Sequence, residues 1–268
     1  MLFRSHDIDI AFFACSPEII QAYAASGSPF PELTIDLTQT GRAGALFLNG
    51  ISDARVLKPG GYFVNPNAAA IMLTRVLSRL HRSFGVQSSA AAILQPASER
   101  GATAVDELQE QTVSLLNFQQ VTHRVFHGQL AFNVLPEIAA SQGNEELIHQ
   151  QLRQLLNPEI PAPRVNVVQA PVFHSHSISL FVNLIAQAGV KEIAYELQKG
   201  AVEVVFHSSD DPPSPVSVIG TDQIHVGRIS ADPNHPASFS LWIVADNLRI
   251  AAANAVQTAE HIMFAPAL

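Results

Sequence analysis

Cysteine is nearly absent from this chain: Cys15 is the single one in 268 residues. One thiol excludes an intrachain disulfide framework and any thiolate-held metal cluster, and it fits a reducing compartment. Charge is scarce too. Charged residues make up 14% of the chain against 47% hydrophobic residues, with a net charge of −8. An acidic chain has no electrostatic footprint for nucleic acid or an anionic membrane, and neither is expected as a partner. Long apolar runs are missing as well. The run that opens the chain, after Asp7 and Asp9, is about six residues, the length of a strand rather than of a signal or a membrane span. No glycine loop of the GxGxxG type precedes that strand. A cytoplasmic location is the expectation.

What remains is an apolar chain, with a mean hydropathy of +0.18, long enough for one large domain or two modest ones. The value is high for a chain without a membrane span and suggests a buried subunit interface. IDIAFFA (residues 8–14) reads as a core strand. Ser16-Pro17-Glu18 then opens a helix, with Ser16 as cap, Pro17 in the first turn and Glu18 at the positive end. LTIDL, ALFLNGI and GYFVN follow as short apolar strands between glycines. Strands alternating with a helix predict a parallel sheet in an α/β domain. A chain that begins on such a strand reads as an incomplete domain: either an N-terminal unit was lost or the start of the sequence is truncated.

The spacing of Ile71, Leu73, Val76, Leu77 and Leu80 predicts an amphipathic helix over 68–84. VQSSAAAILQPASERG (residues 86–101) then reads as a strand and a loop. A helix is predicted over 102–117, capped by Thr103 with Asp106 three residues on, and another over 144–156, stopped by Asn157-Pro158. Residues 165–184 read as a strand pair or one bent strand. VKEIAYELQKG reads as a helix; VEVVF, DQIHVGRIS and FSLWIVA read as strands, expected to be antiparallel. A long helix capped by Asp246 closes the chain.

His174 and His176 are spaced i, i+2, so in a strand both would point to one face, as two metal ligands must. No further ligands cluster beside them, and no metal is expected. A structural role, or that of a general base for His176, stays open. Gln95 could hold a substrate carbonyl or bond a backbone group. Arg42, after a strand, could bind an anion.

NPN before the helix at 68, AILQPASERGATAVDELQEQT, AFNVLP, PVFHSHS, HVGRISADP and DNLRIAAANAVQTAE together resemble aspartate-semialdehyde dehydrogenases across nearly the whole chain. The resemblance is greatest to the usg-type paralogue of the bacterial enzyme. It implies a partial Rossmann-like parallel-sheet domain (1–66), an α+β semialdehyde dehydrogenase dimerisation domain (67–245), and a last helix (246–268) that packs on the first domain. It implies a homodimer, or a heteromer with an active homologue. The family reduces β-aspartyl phosphate with NADPH through a cysteine thiolate at a helix N-terminus, where the dipole favours the anion.

Carried residue by residue, the nucleophile falls on Ala68, beside Asn67, a tentative substrate-binding residue. The acid–base histidine falls on His176 and the substrate-loop glutamine on Gln95. The arginine that holds the substrate carboxylate falls on Gln169, seven residues before His176. The acidic residue and lysine of a later helix fall on Asn144 and Leu147, and Arg42 matches a phosphate-binding arginine. The expectation is a divergent or inactive homologue, with NADP possible only in a longer form of the protein. An NAD(P)-dependent oxidoreductase acting on an aldehyde, and a regulatory or scaffold protein, are the alternatives.

Overall fold

The computed structural model describes residues 8–38, 44–52, 61–137, 143–199, 204–208 and 210–264. The chain divides into two compact units, residues 1–67 with 251–268, and residues 68–250.

The first unit is built on a four-stranded parallel sheet of β1 (Ile10–Phe13), β2 (Leu33–Asp36), β3 (Ala45–Leu46) and β4 (Tyr62–Val64), in the order β1-β2-β4-β3. The parallel arrangement is as expected, and so is helix α1 (Pro17–Ala25) between β1 and β2. Ser16 occupies its N-cap position without capping a backbone N–H. Its side chain bonds Glu18 instead, and that bond holds the exposed Glu18 carboxyl below the usual range.

The last helix, α6 (Asn247–Phe264), returns to this sheet. Its Ala255 and Ala259 pack on Ile35, and Ile262 packs on Leu33, Phe47 and Phe63. Asn254 fixes it there, donating to the Phe47 carbonyl (3.0 Å) and Asn65 Oδ1 (2.8 Å) and accepting from the Asn49 N–H (3.0 Å). Small alanines let helix and sheet approach closely, and the asparagine settles their register.

The second unit holds a seven-stranded sheet, β6-β7-β5-β8-β11-β10-β9. Its strands are β5 (Val86–Gln95), β6 (Leu135–Pro136), β7 (Arg164–Gln169), β8 (His176–Leu184), β9 (Val204–Phe206), β10 (Ile224–Ala231) and β11 (Ser238–Ala245). The expected antiparallel sheet is in fact mixed: β5–β7 and β9–β10 pair parallel. Helices α2 (Ala68–Phe84), α4 (Asn144–Leu155) and α5 (Val190–Gln198) pack on the sheet and on one another. All five stripe residues of α2 are buried.

Strand β8 alternates as a half-covered strand should: Ile178, Leu180, Val182 and Leu184 are buried, while Phe181 is 55% exposed. Helix α3 (Ala102–Leu116) starts from Gly101, not from a Thr103 cap. Gly101 has φ +86°, a left-handed conformation that glycine adopts at little cost. Glu107 and Gln111 of α3 are buried and gather the following loop. Glu107 accepts the N–H groups of Arg124 and Val125, and Gln111 accepts those of Leu130 and Ala131. Asp246 does cap α6, accepting from the Leu248 and Arg249 N–H groups.

Candidate functional site

The parallel pair β5–β7 ends in register at Gln95 and Gln169. The carboxyl ends of parallel strands are a frequent place for ligands, since the chain must leave the sheet there. On the other side of β5, Leu94 pairs with Ser177 of antiparallel β8, which puts His176 one step further on, level with Gln95. Three polar side chains therefore stand on three adjacent strands, about 4.8 Å apart from strand to strand. The chain leaves β5 in a 3-10 turn, Ala97–Arg100, pinned by its N–H groups at Ala97 and Ser98 to the carbonyls of Val172 (2.8 Å) and Phe173 (3.0 Å).

One cluster centres on the glutamines. Gln169 Nε2 donates to the Gln95 carbonyl at 2.9 Å, which fixes the direction of its amide. Its Oε1 accepts from Gln95 Nε2 and from Arg100 Nε, both at 3.1 Å. Gln95 Oε1 in turn accepts from Asn144 Nδ2 at 2.8 Å. Glu137 completes the ring: its carboxylate caps α4 through the N–H groups of Asn144 and Glu145, with Arg100 Nη2 at 3.7 Å.

The second cluster centres on His176, fully buried at the start of β8. Its Nε2 lies 3.2 Å from Glu99 Oε2, which also accepts from Asn247 Nδ2 at 3.1 Å. An oxygen that accepts from an amide is the acceptor for the imidazole as well, so Nε2 carries the proton and Nδ1 the lone pair. Among the described residues, Nδ1 has no hydrogen-bond partner. Asn247 Oδ1 accepts from the Ser98 hydroxyl and the Ser175 N–H. Ser175 holds φ +75°, a strained conformation for a side-chain-bearing residue, immediately before the histidine. Its hydroxyl is tied to the Pro215 carbonyl at 3.1 Å.

Of the residues singled out from the sequence, Gln95, Gln169 and Asn144 meet in the first cluster and His176 forms the second. His174 lies in the bend before β8, so the two histidines do not share a strand face and the metal-pair geometry is absent. Leu147 is on α4, and Ala68 is the buried first residue of α2. Asn67 is buried at the end of the first unit. Arg42 lies outside the described residues. Cys15 follows β1, and its thiol is pushed up first by burial and then by the charge of Asp36, the reverse of nucleophile activation. Glu99, Arg100, Glu137 and Asn247 escaped the sequence reading. The adjacent opposite charges in SERG, closed by a glycine, were the one available signal.

Residues 77–250 match the family model described as semialdehyde dehydrogenase, dimerisation domain. The chain is 30% identical to the aspartate-semialdehyde dehydrogenase of Rickettsia conorii, over 96% of its own length and 80% of that protein. The structure of a probable aspartate-semialdehyde dehydrogenase from Pseudomonas aeruginosa superimposes with a TM-score of 0.87 at 28% identity, covering 98% of this chain and 82% of that one. Aspartate-semialdehyde dehydrogenase II from Vibrio cholerae, solved in complex with ASA, gives 0.85 at 26% identity, covering 97% and 81%. The fold and the dimerisation domain are retained, and the expected catalytic cysteine is not. The chain belongs to the aspartate-semialdehyde dehydrogenase family, as a catalytically divergent homologue.

Proposed function

We propose that this protein binds a small ligand at the Gln95–Gln169–His176 site, as a dimer, without carrying out the family's thioester chemistry. The observation that carries the reading is Ala68. The nucleophile position is assigned to this buried methyl at the head of α2, and a methyl group forms no acyl-enzyme. Gln169 and Leu147, standing for the clamp arginine and the phosphate lysine, point the same way. Within the family the chain groups with the usg-type paralogues on these grounds, and the cytoplasm suits its single free thiol. The test is a coupled assay of acyl-phosphate reduction by NADPH. No turnover above a vector control is expected, and turnover would sink the reading.

Within the described residues, the β1–α1 turn offers NADP no pyrophosphate site. Ala14, Cys15 and Ser16 bring no glycine to it, and Pro17 removes an N–H from the first turn of α1. A pyrophosphate needs such N–H groups, and this turn does not fit one.

The second copy would sit on the sheet face that exposes Phe181. Around it lies a groove of about 700 Å³ lined by Ser88, Asn183, Ser238 and Ser240 from three neighbouring strands. It lies within the segment matched to the dimerisation domain, which supports a homodimer. A heteromer with an active homologue would use the same face.

A second reading, an oxidoreductase acting on an aldehyde without a covalent intermediate, draws on the His176–Glu99 pair, which can accept and return a proton. It requires a nicotinamide cofactor, so calorimetric titration with NADPH and NADH decides it: absence of binding removes it.

A further inference from the structure

We propose that the His207–His225 pair is a proton-operated latch. It holds residues 211–222 as a strap across the open face of the second unit's sheet, and a second proton on the pair releases that strap. The latch does not depend on the ligand-binding reading above.

The strap lies on the side of the sheet away from the helices. His225 of β10 pairs with Val205 of β9 and Val244 of β11, and Val244 pairs with Ser177 of β8. Paired residues share a face, so His225 faces away from the buried row Ile178, Leu180 and Val182, on which α2 packs. His207 extends the ladder of β9, its N–H on the Val226 carbonyl at 2.7 Å. Gly227 lets the strap come close, since a Cβ there would fall 2.6 Å from Pro213 Cδ. Trp242 Nε1 donates to the Pro213 carbonyl (2.9 Å), Ser175 Oγ to the Pro215 carbonyl (3.1 Å) and the Gly220 N–H to Asp246 Oδ2 (2.9 Å). Thr221 Oγ1 joins the strap to His225 Nε2 at 2.9 Å.

The bonds through the pair run one way. The Thr221 hydroxyl spends its proton on the Val218 carbonyl (2.8 Å), so its oxygen accepts from His225 and places the imidazole proton on Nε2. His225 Nδ1 then holds the lone pair and accepts from His207 Nε2 at 2.8 Å. His207, half-buried, keeps a lone pair on Nδ1. A first proton taken there leaves each of these bonds in place and makes the one between the rings charge-assisted. A second proton has only His225 Nδ1 left, where N–H would meet N–H and two imidazolium charges would face each other.

Among the described residues, no carboxylate is placed to offset that charge. On this face β8 and β11 present Ser177, Trp242 and Val244, and β9 presents Val205, none of them charged. Arg228, further along β10, is exposed and of the same sign. Asp210 and Asp211, where the strap begins, are exposed. Asp222 is paired with Arg249 at 2.7 Å, and Asp246 is engaged by the N–H groups of Gly220, Leu248 and Arg249. His225 is 7% exposed, and its pKa is held low first by burial and then by His207. Hydrating the second proton therefore requires the strap to lift. The open state binds the extra proton, so its population should grow by up to about tenfold per pH unit below about 6.5, the value of a free imidazole. Release also frees Ser175, the residue before His176, from its bond to Pro215.

Trp242 is the only tryptophan of the chain and bonds the strap directly, so its emission reads the latch. The full chain is titrated from about pH 8 to about pH 5, with acrylamide quenching of Trp242 and far-UV circular dichroism followed together. The wild type should shift its emission to longer wavelength and gain acrylamide access below about pH 6.5, while the dichroism stays flat. His225→Gln should remove the step, because the amide takes up no proton. His207→Gln, whose amide can turn its oxygen to a protonated His225, should remove it as well, and it decides the matter if His225→Gln does not fold. His235→Gln, at an exposed histidine between β10 and β11, should keep the wild-type step. A wild-type quenching constant that does not change with pH overturns the latch. So does a step that persists in either His225→Gln or His207→Gln, a step lost in His235→Gln, or a loss of dichroism that coincides with the step.

Discussion

Glu99 holds Nε2 of His176 at 3.2 Å, and it does so from the turn that leaves the neighbouring strand. Asn247 donates to the same carboxylate oxygen and is itself braced by Ser98 and Ser175. The imidazole is therefore oriented by tertiary contacts from two further segments, with Nδ1 as its basic nitrogen. Nitrogen NMR of histidine-labelled protein should show His176 protonated at Nε2 and bare at Nδ1. Glu99→Gln should mix the tautomers, because the amide can donate as well as accept. A proton on Nδ1 in the wild type would refute the assigned dyad.

Glu107 is a fully buried carboxylate satisfied by backbone N–H groups of the loop after α3. Glu107→Ala leaves those N–H groups buried without an acceptor and opens a cavity beside Leu108 and Phe126. The expected loss is about 2–4 kcal/mol of unfolding free energy. Urea denaturation measures it, and a loss under about 0.5 kcal/mol would mean that the loop is held by something else.

His225 accepts or donates at both ring nitrogens, 2.8 Å from His207 and 2.9 Å from the Thr221 hydroxyl. Its pKa is held below the ordinary range, first by burial and then by His207. The unfolded chain therefore binds this proton more readily than the folded one. The stability contributed is complete above the unfolded value of about 6.5 and is lost as pH falls through the folded value. Denaturation midpoints followed from about pH 8 to about pH 5 should fall more in the wild type than in His225→Gln. Parallel profiles would show that His225 is not the group responsible.

Phe181 is 55% exposed on an otherwise serine- and asparagine-rich sheet face. If that face seats a second copy, Phe181→Asp buries a carboxylate in the interface and should convert dimer to monomer in sedimentation velocity. A wild-type protein that sediments as a monomer at all concentrations removes the dimer proposal.

The elements of the fold were legible where their pattern is local. Helix α2 carries its stripe at helical spacing, and both its ends fall where the stripe predicts. The strand direction of β7 was not legible, because pairing is decided by which strand lies alongside, here β5, residues away in sequence. The capping bonds expected of Ser16 at α1 and Thr103 at α3 do not form, for reasons just as local. Ser16 has a carboxylate neighbour that competes for its hydroxyl, and Gly101 supplies a left-handed turn that makes a Thr103 cap unnecessary.

The site divides in the same way. Sequence motifs alone marked Gln95, Gln169 and His176 and named the missing cysteine, because those residues sit in stretches whose order persists along the chain. They could not show that Glu99 and Arg100, adjacent in one turn, serve different neighbours: one the histidine of β8, the other the glutamine of β7. A 3-10 turn changes side-chain direction by about a third of a circle per residue. Only the packing of that turn against the ends of β7 and β8 decides which charge meets which partner. By itself the sequence determined the family, the order of elements and the loss of the thiol. The tertiary structure decided where the remaining charge is spent, because hydrogen bonds between strand ends join residues that the chain keeps dozens of positions apart.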